Sequence, residues 1–116
     1  MKHFDLSEFD CPCGCCKNNM NDDLLDALDD ARDMAGIPFT INSGCRCAEH
    51  NKAINGKPKS SHLLGYAVDI KATDSRSRYL IVESLLAANF NRIGIADTFI
   101  HVDNDPAKDG CVIWTY

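Results

Sequence analysis

The sequence lacks the features that mark several broad classes of protein. No apolar run approaches the ~20 residues that a membrane-spanning helix needs. No stretch is dense in lysine or arginine, and the formal net charge of −5 argues against a nucleic-acid partner. Internal repeats, low-complexity tracts and linkers are also absent from the 116 residues. We therefore expect one domain over 1–116, most simply a monomer.

The N-terminus lacks the apolar segment of a secretory signal peptide. Its first residues, 1–5, read Met-Lys-His-Phe-Asp, without a run of apolar side chains. We therefore expect synthesis in the cytoplasm, so that any action on a cell wall depends on release by another component. In that compartment free thiols or thiolate–metal binding are expected rather than a disulfide framework.

Cysteine, by contrast, is abundant, with an odd total of seven. Four lie within 11–16, in a cysteine-rich segment over 1–21. A structural zinc would use a C-x-x-C spacing, and its candidate ligands are Cys11, Cys13, Cys16 and Cys47. The irregular spacing favours thiols without a metal, with a disulfide formed after release as a further alternative. A cysteine nucleophile near His50 would lack an orienting third group.

The pattern of apolar residues predicts an α+β domain. Long helices are predicted over 22–35 and from a cap at Thr73 or Asp74, with a short helix over 48–54. Predicted strands cover 39–42, 92–96, 99–102 and 112–116, and two extended segments over 62–64 and 66–71 are hinged at Gly65. These elements favour helices packed on one face of a small, mostly antiparallel sheet.

Two histidines and one aspartate are unusual because they lie in short apolar segments. His62 and Asp69 have six residues between them, and His101 lies within Phe-Ile-His-Val-Asp. An unpaired imidazole or carboxylate is costly in such a setting. The alternative is a pair of unrelated structural histidines, but one cation would account for all three residues. Two imidazoles and a carboxylate make a zinc site with a position left for water, which favours a metal-dependent hydrolase.

The motif Ser61-His62-x-x-Gly65-x-Ala67-x-Asp69, followed by His101-x-Asp103, resembles a known enzyme family. It is similar to the zinc D-alanyl-D-alanine carboxypeptidase and L-alanyl-D-glutamate endopeptidase family, which cuts the peptide part of bacterial peptidoglycan. Ser43-Gly44-Cys45-Arg46, followed by His50-Asn51, resembles the second signature of that family. The resemblance implies a hedgehog/DD-peptidase-like fold and one catalytic Zn²⁺. Small size and the expected cytoplasmic synthesis fit a phage or prophage endolysin.

The same resemblance implies roles for individual residues. It makes His62, Asp69 and His101 the zinc ligands, and Arg46 the group that holds a substrate carboxylate or polarises the scissile carbonyl. Ser61 is a candidate for substrate binding, with a plain turn serine as the alternative.

The general base is where the sequence departs from the family. Many members carry an acidic residue three positions before the last histidine, and Thr98 stands there instead. Asp97 is the preferred base, while Asp103 is the second choice or a support for a ligand histidine. Thr98 also keeps open a non-catalytic zinc-containing binding domain on the same scaffold. A cysteine-rich metal-binding protein is the third alternative.

Overall fold

A computed structural model describes residues 3–10, 20–44, 54 and 61–116. Its helices are α1 (Asp22–Ala35) and α2 (Ser75–Ala87), with 3-10 turns at Leu6–Phe9 and Ser61–Leu64. Its strands are β1 (Ile41–Ser43), β2 (Ala67–Lys71), β3 (Arg92–Ile95), β4 (Phe99–Asp103) and β5 (Val112–Thr115). No helix in this part of the chain has the length and apolar character of a membrane span.

Several predictions fall on residues outside the described ranges. They are the thiolate zinc at Cys11, Cys13, Cys16 and Cys47, the anchoring role of Arg46, and the helix over 48–54 apart from Ile54. Cys111 is described, and it is a free, exposed thiol.

Both long helices begin at the side-chain caps that the sequence offers. The Asn21 side chain accepts a hydrogen bond from the Leu24 N–H at 3.0 Å, and α1 ends at Gly36 in the left-handed conformation. The Asp74 side chain accepts from the Ser77 N–H at 3.1 Å at the start of α2. These caps confirm the predicted starts of both helices.

The five strands form one sheet in the order β1-β2-β4-β3-β5, and both helices pack on one face of it. Its pairings are antiparallel except β3 with β5, which are parallel. Alternate strand residues and the inner faces of the two helices share one core, which includes Leu24, Leu28, Val68, Ile70, Ile81, Leu85, Ile93, Ile100 and Val102. The predicted α+β class and mostly antiparallel sheet are confirmed.

Two local predictions were wrong. Residues 62–64, expected to be extended, form the 3-10 turn Ser61–Leu64, because Gly65 takes a positive φ of 76° and the Tyr66 N–H returns to the Ser61 carbonyl. The first strand covers Ile41–Ser43 rather than 39–42, and Phe39, buried in the core, precedes it. The hinge predicted at Gly65 therefore separates a turn from a strand.

Candidate metal centre

One row of residues lies in register across the described strands, on the face of the sheet turned away from the helices. The pairs are Ser43 with Asp69, Asp69 with His101, His101 with Gly94, and Gly94 with Trp114. Residues directly opposite each other in a sheet project to the same side. Strand register therefore places an acid, a histidine and an indole side by side, with only a glycine between the last two.

The three predicted metal ligands meet at this row. His62 comes from the 3-10 turn, whereas Asp69 and His101 come from β2 and β4. Asp69 Oδ1 lies 3.4 Å from His62 Nε2 and 3.0 Å from His101 Nδ1. One ligand atom from each residue falls within 4.8 Å of the others, and all three residues are buried. The structure thus brings together the triad that the sequence predicts.

Hydrogen bonds fix which nitrogen each histidine offers. His62 Nδ1 lies 2.8 Å from the Gly44 carbonyl oxygen, which only accepts, so His62 presents Nε2. His101 Nε2 lies 2.7 Å from Asp103 Oδ2, so its N–H donates to that carboxylate and His101 presents Nδ1. An outer partner on the remaining nitrogen is the usual arrangement of metal-bound histidine. Two imidazole nitrogens and one carboxylate oxygen converge, and this donor set fits Zn²⁺.

The electrostatics of the row favour a cation. Burial raises the pKa of Asp69, but hydrogen bonds with His101 and His62 outweigh it and hold that pKa well below its usual value. Burial also raises the pKa of Asp103, yet hydrogen bonds from His101 and Arg92 lower it overall. Burial lowers the pKa of His101, whereas hydrogen bonds to Asp103 and Asp69 raise it overall. Two ionised carboxylates therefore flank one imidazole.

Two residues near His101, Trp114 beside its ring and Arg92 behind Asp103 and Trp114, were not predicted from the sequence. Arg92 Nε donates to Asp103 Oδ1 at 2.7 Å, and its guanidinium carbon lies 5.2 Å from the Trp114 ring centre. The Trp114 ring lies 5.4 Å from the His101 ring. A Cβ on Gly94 would fall 2.6 Å from Trp114 Nε1, so the indole occupies the space that glycine leaves. A glycine inside a strand was the available signal of a close approach.

Ser61 belongs to a cluster beside the His62 turn. Its Oγ donates to Asp105 Oδ2 at 2.8 Å and receives a hydrogen bond from Lys108 Nζ at 2.6 Å. Ser61 is 2% exposed. These contacts tie the turn that carries His62 to the loop after β4. The substrate-binding role of Ser61 stays a prediction.

The two candidates for the general base lie in different surroundings. Asp103 is 1% exposed and touches His101 and Arg92. Asp97 is exposed in the turn between β3 and β4, where its carbonyl accepts from Arg78. It precedes His101 by four residues, and the strand that carries His101 begins only at Phe99. The assignment of the base stays a prediction.

Comparison with known families bears on these residues together. A family model described as Peptidase M15 matches residues 2–103, a range that includes the whole triad. No curated protein matches the chain. The family match confirms the resemblance drawn from the motifs.

Proposed function

The chain belongs to the Peptidase M15 family and is a metallopeptidase, and we propose that it cuts the peptide part of bacterial peptidoglycan. The observation that carries the proposal is that His62, Asp69 and His101 converge in one buried group that could hold a metal ion. The cleaved bond is that of a DD-carboxypeptidase or of an L-Ala-D-Glu endopeptidase. Action on a wall also requires release from the cell, as for a phage or prophage endolysin.

His62, Asp69 and His101 would hold the zinc ion. Zinc in such a site supplies polarisation of a carbonyl and activation of water. The Gly44 carbonyl and the Asp103 carboxylate keep the two histidines in the orientations that leave Nε2 of His62 and Nδ1 of His101 as ligands. Because these supports are already in place, little reorganisation is needed on metal binding.

We assign substrate anchoring to Arg46, because a guanidinium fork suits a peptide carboxylate. Arg46 follows Gly44 by two residues, and Gly44 supports His62. Ser61 is the second proposed substrate contact. Both roles derive from the family motif, and their variants are expected to raise KM.

Asp97 is the proposed general base, with Asp103 as the alternative. Asp103 Oδ2 is bonded to His101 and Oδ1 to Arg92, which suits a supporting role. Asp97 has no such hydrogen bond to His62 or His101 among the described residues, and it would have to approach the substrate from the β3–β4 turn. A base in that position takes a proton from water and passes it to the leaving amine.

A murein digestion assay tests the proposed function. Purified protein is incubated with murein, with and without a chelator, and new amino groups are measured. Chelator-sensitive release that is lost in His62→Ala is expected. Free D-alanine among the products identifies a carboxypeptidase, and a new L-alanine carboxyl terminus identifies the endopeptidase. Zinc-loaded protein that releases no amino groups contradicts the proposal.

A non-catalytic zinc-containing binding domain is the second candidate. The observation that favours it is Thr98, exposed at the position where the family motif has an acidic residue. This candidate predicts that zinc-loaded protein cosediments with murein and leaves its peptide bonds intact. Cleavage in the digestion assay excludes it.

A further inference from the structure

Asp103 is held at both of its carboxylate oxygens. Oδ2 accepts from His101 Nε2 at 2.7 Å, and Oδ1 accepts from Arg92 Nε at 2.7 Å and from the Asp105 N–H at a longer 3.3 Å. Asp103 is 1% exposed, so water is not available to replace a lost partner. Arg92 supplies the shorter and charged donor to Oδ1, so the plane of this carboxylate, and with it the direction of the bond to His101, depends mainly on Arg92.

Arg92 is itself fixed along its length. Arg92 and Asp103 each lie one position beyond the paired residues Ile93 and Val102 on neighbouring strands. Arg92 Nη1 donates to the carbonyl oxygen of Asp109 at its far end. The side chain is 13% exposed. A guanidinium held at two sites presents its Nε–H in one direction only.

Trp114 supplies a second path from Arg92 to His101. The guanidinium lies over the indole at 5.2 Å, and the indole lies 5.4 Å from the imidazole at an interplanar angle of 51°. Gly94, opposite both rings in the register of the sheet, leaves the space that the indole fills. The His101 ring thus meets Asp103 at its Nε2 edge and the indole at its side.

We propose that Arg92 is a positioning residue of the metal centre, which acts through Asp103 and Trp114 to aim His101 Nδ1 at the cation. Arg92 itself is not a metal ligand; its contacts are with Asp103, Asp109 and Trp114. The inference rests on the metal site of the proposed function, but not on the identity of the bond that is cut. Lysine in this place keeps the charge and loses both the fork and the stacking surface.

The test removes the metal from the protein, adds zinc back, and measures the zinc affinity by competition with a chromophoric chelator. Arg92→Lys is expected to weaken zinc binding about 10-fold to 100-fold. The absorption spectrum of the cobalt-substituted protein is expected to change, because the ligand field depends on how His101 is aimed. Arg32→Lys is the matched control. Arg32 also stacks on an aromatic ring, that of Phe4, and donates to a backbone carbonyl, and it lies in α1, on the other side of the sheet from Asp69 and His101.

The outcomes separate this inference from the proposed function. Equal zinc affinity and an equal cobalt spectrum in wild type and Arg92→Lys overturn the inference, even if the melting temperature falls. Weakened zinc binding in Arg92→Lys supports it, even if the wild type proves unable to cleave murein. A wild-type chain that binds no zinc overturns both. Should Arg92→Lys fail to fold, Trp114→Phe is measured instead, with an expected loss of about threefold and the same criterion.

Discussion

Asp69 and His101 stand directly opposite each other on antiparallel strands, with Asp69 Oδ1 at 3.0 Å from His101 Nδ1. This contact exists only in one strand register, since a shift by one residue would turn either side chain to the helix-covered face. The buried apolar residues on that face, including Val68 and Ile100, hold the register. Packing on one side of the sheet thus specifies the chemistry on the other.

Asp69→Asn is expected to remove most zinc binding, because the site loses its only anionic member among the three ligands. The loss should exceed the ~10-fold to 100-fold that removal of a supporting contact costs. Chelator competition measures it. Asp30→Asn, on the exposed face of α1, is the matched control. Zinc affinity within threefold of wild type in Asp69→Asn would show that the cation binds elsewhere.

The stability of the metal-free protein is expected to fall toward both acid and alkaline pH. Burial raises the pKa of Asp69, but its histidine partners lower it overall, so its stabilisation is present above about 4 and is lost as the pH falls through the lowered value. Burial lowers the pKa of His101, but its aspartate partners raise it overall. Its stabilisation is therefore complete below about 6.5 and is lost as the pH rises through the raised value.

Thermal unfolding of the apoprotein at a series of pH values measures the loss of stability at acid and at alkaline pH. His101→Gln is expected to reduce the loss of stability at alkaline pH. Because His101 is buried, the substitution leaves the exposed surface unchanged. If the loss of stability at alkaline pH is the same in His101→Gln as in the wild type, it is caused by other groups.

Gly94→Ala is expected to destabilise the protein by about 1–3 kcal/mol, because the added methyl overlaps the Trp114 ring. Chemical denaturation followed by circular dichroism measures the loss. Trp114→Ala should accept the extra methyl, so the double variant is expected to be more stable than the sum of the single effects. Simple additivity would show that the methyl meets no obstacle.

Ser61→Ala is expected to cost about 1–3 kcal/mol of stability, since the buried Asp105 carboxylate loses a donor. Thermal or chemical unfolding measures the cost. Ser84→Ala is the matched control, as Ser84 is equally buried and donates within its own helix to Ile81. If Ser61 instead served only to bind substrate, KM would rise with the unfolding transition unchanged.

Asp97→Asn and Asp103→Asn are expected to fail in different ways. Loss of the general base in Asp97→Asn should lower kcat about 10²-fold to 10⁴-fold with zinc affinity retained. Asp103→Asn should weaken zinc binding, because the acceptor of the His101 N–H loses its negative charge. Steady-state kinetics and chelator competition on the same preparations distinguish the two. Full activity in Asp97→Asn would transfer the role to Asp103.

The triad could be predicted because its members are ionisable side chains within apolar segments of the sequence. A buried aspartate between Val68 and Ile70 needs a partner, and the only distant imidazole in a similar apolar strand is that of His101. The helix cap at Asp74, one of the two candidates at 73 and 74, could also be predicted, because a cap acts over three residues of sequence.

The supports around the triad could not be predicted, because each depends on long-range pairing. Trp114 reaches His101 only through the parallel alignment of β5 with β3, and Gly44 reaches His62 across 18 residues. The turn Ser61–Leu64 is too short for periodicity to distinguish it from a strand.

Trp114 is the only tryptophan in the sequence, and its indole sits 5.4 Å from a metal ligand. Intrinsic fluorescence of the unlabelled protein is therefore an optical readout of this one location. A paramagnetic ion such as Co²⁺ bound at His101 should quench the emission, whereas closed-shell Zn²⁺ should shift it without extinguishing it. Occupancy of the metal site can therefore be followed in real time by a fluorescence titration, without substrate or label.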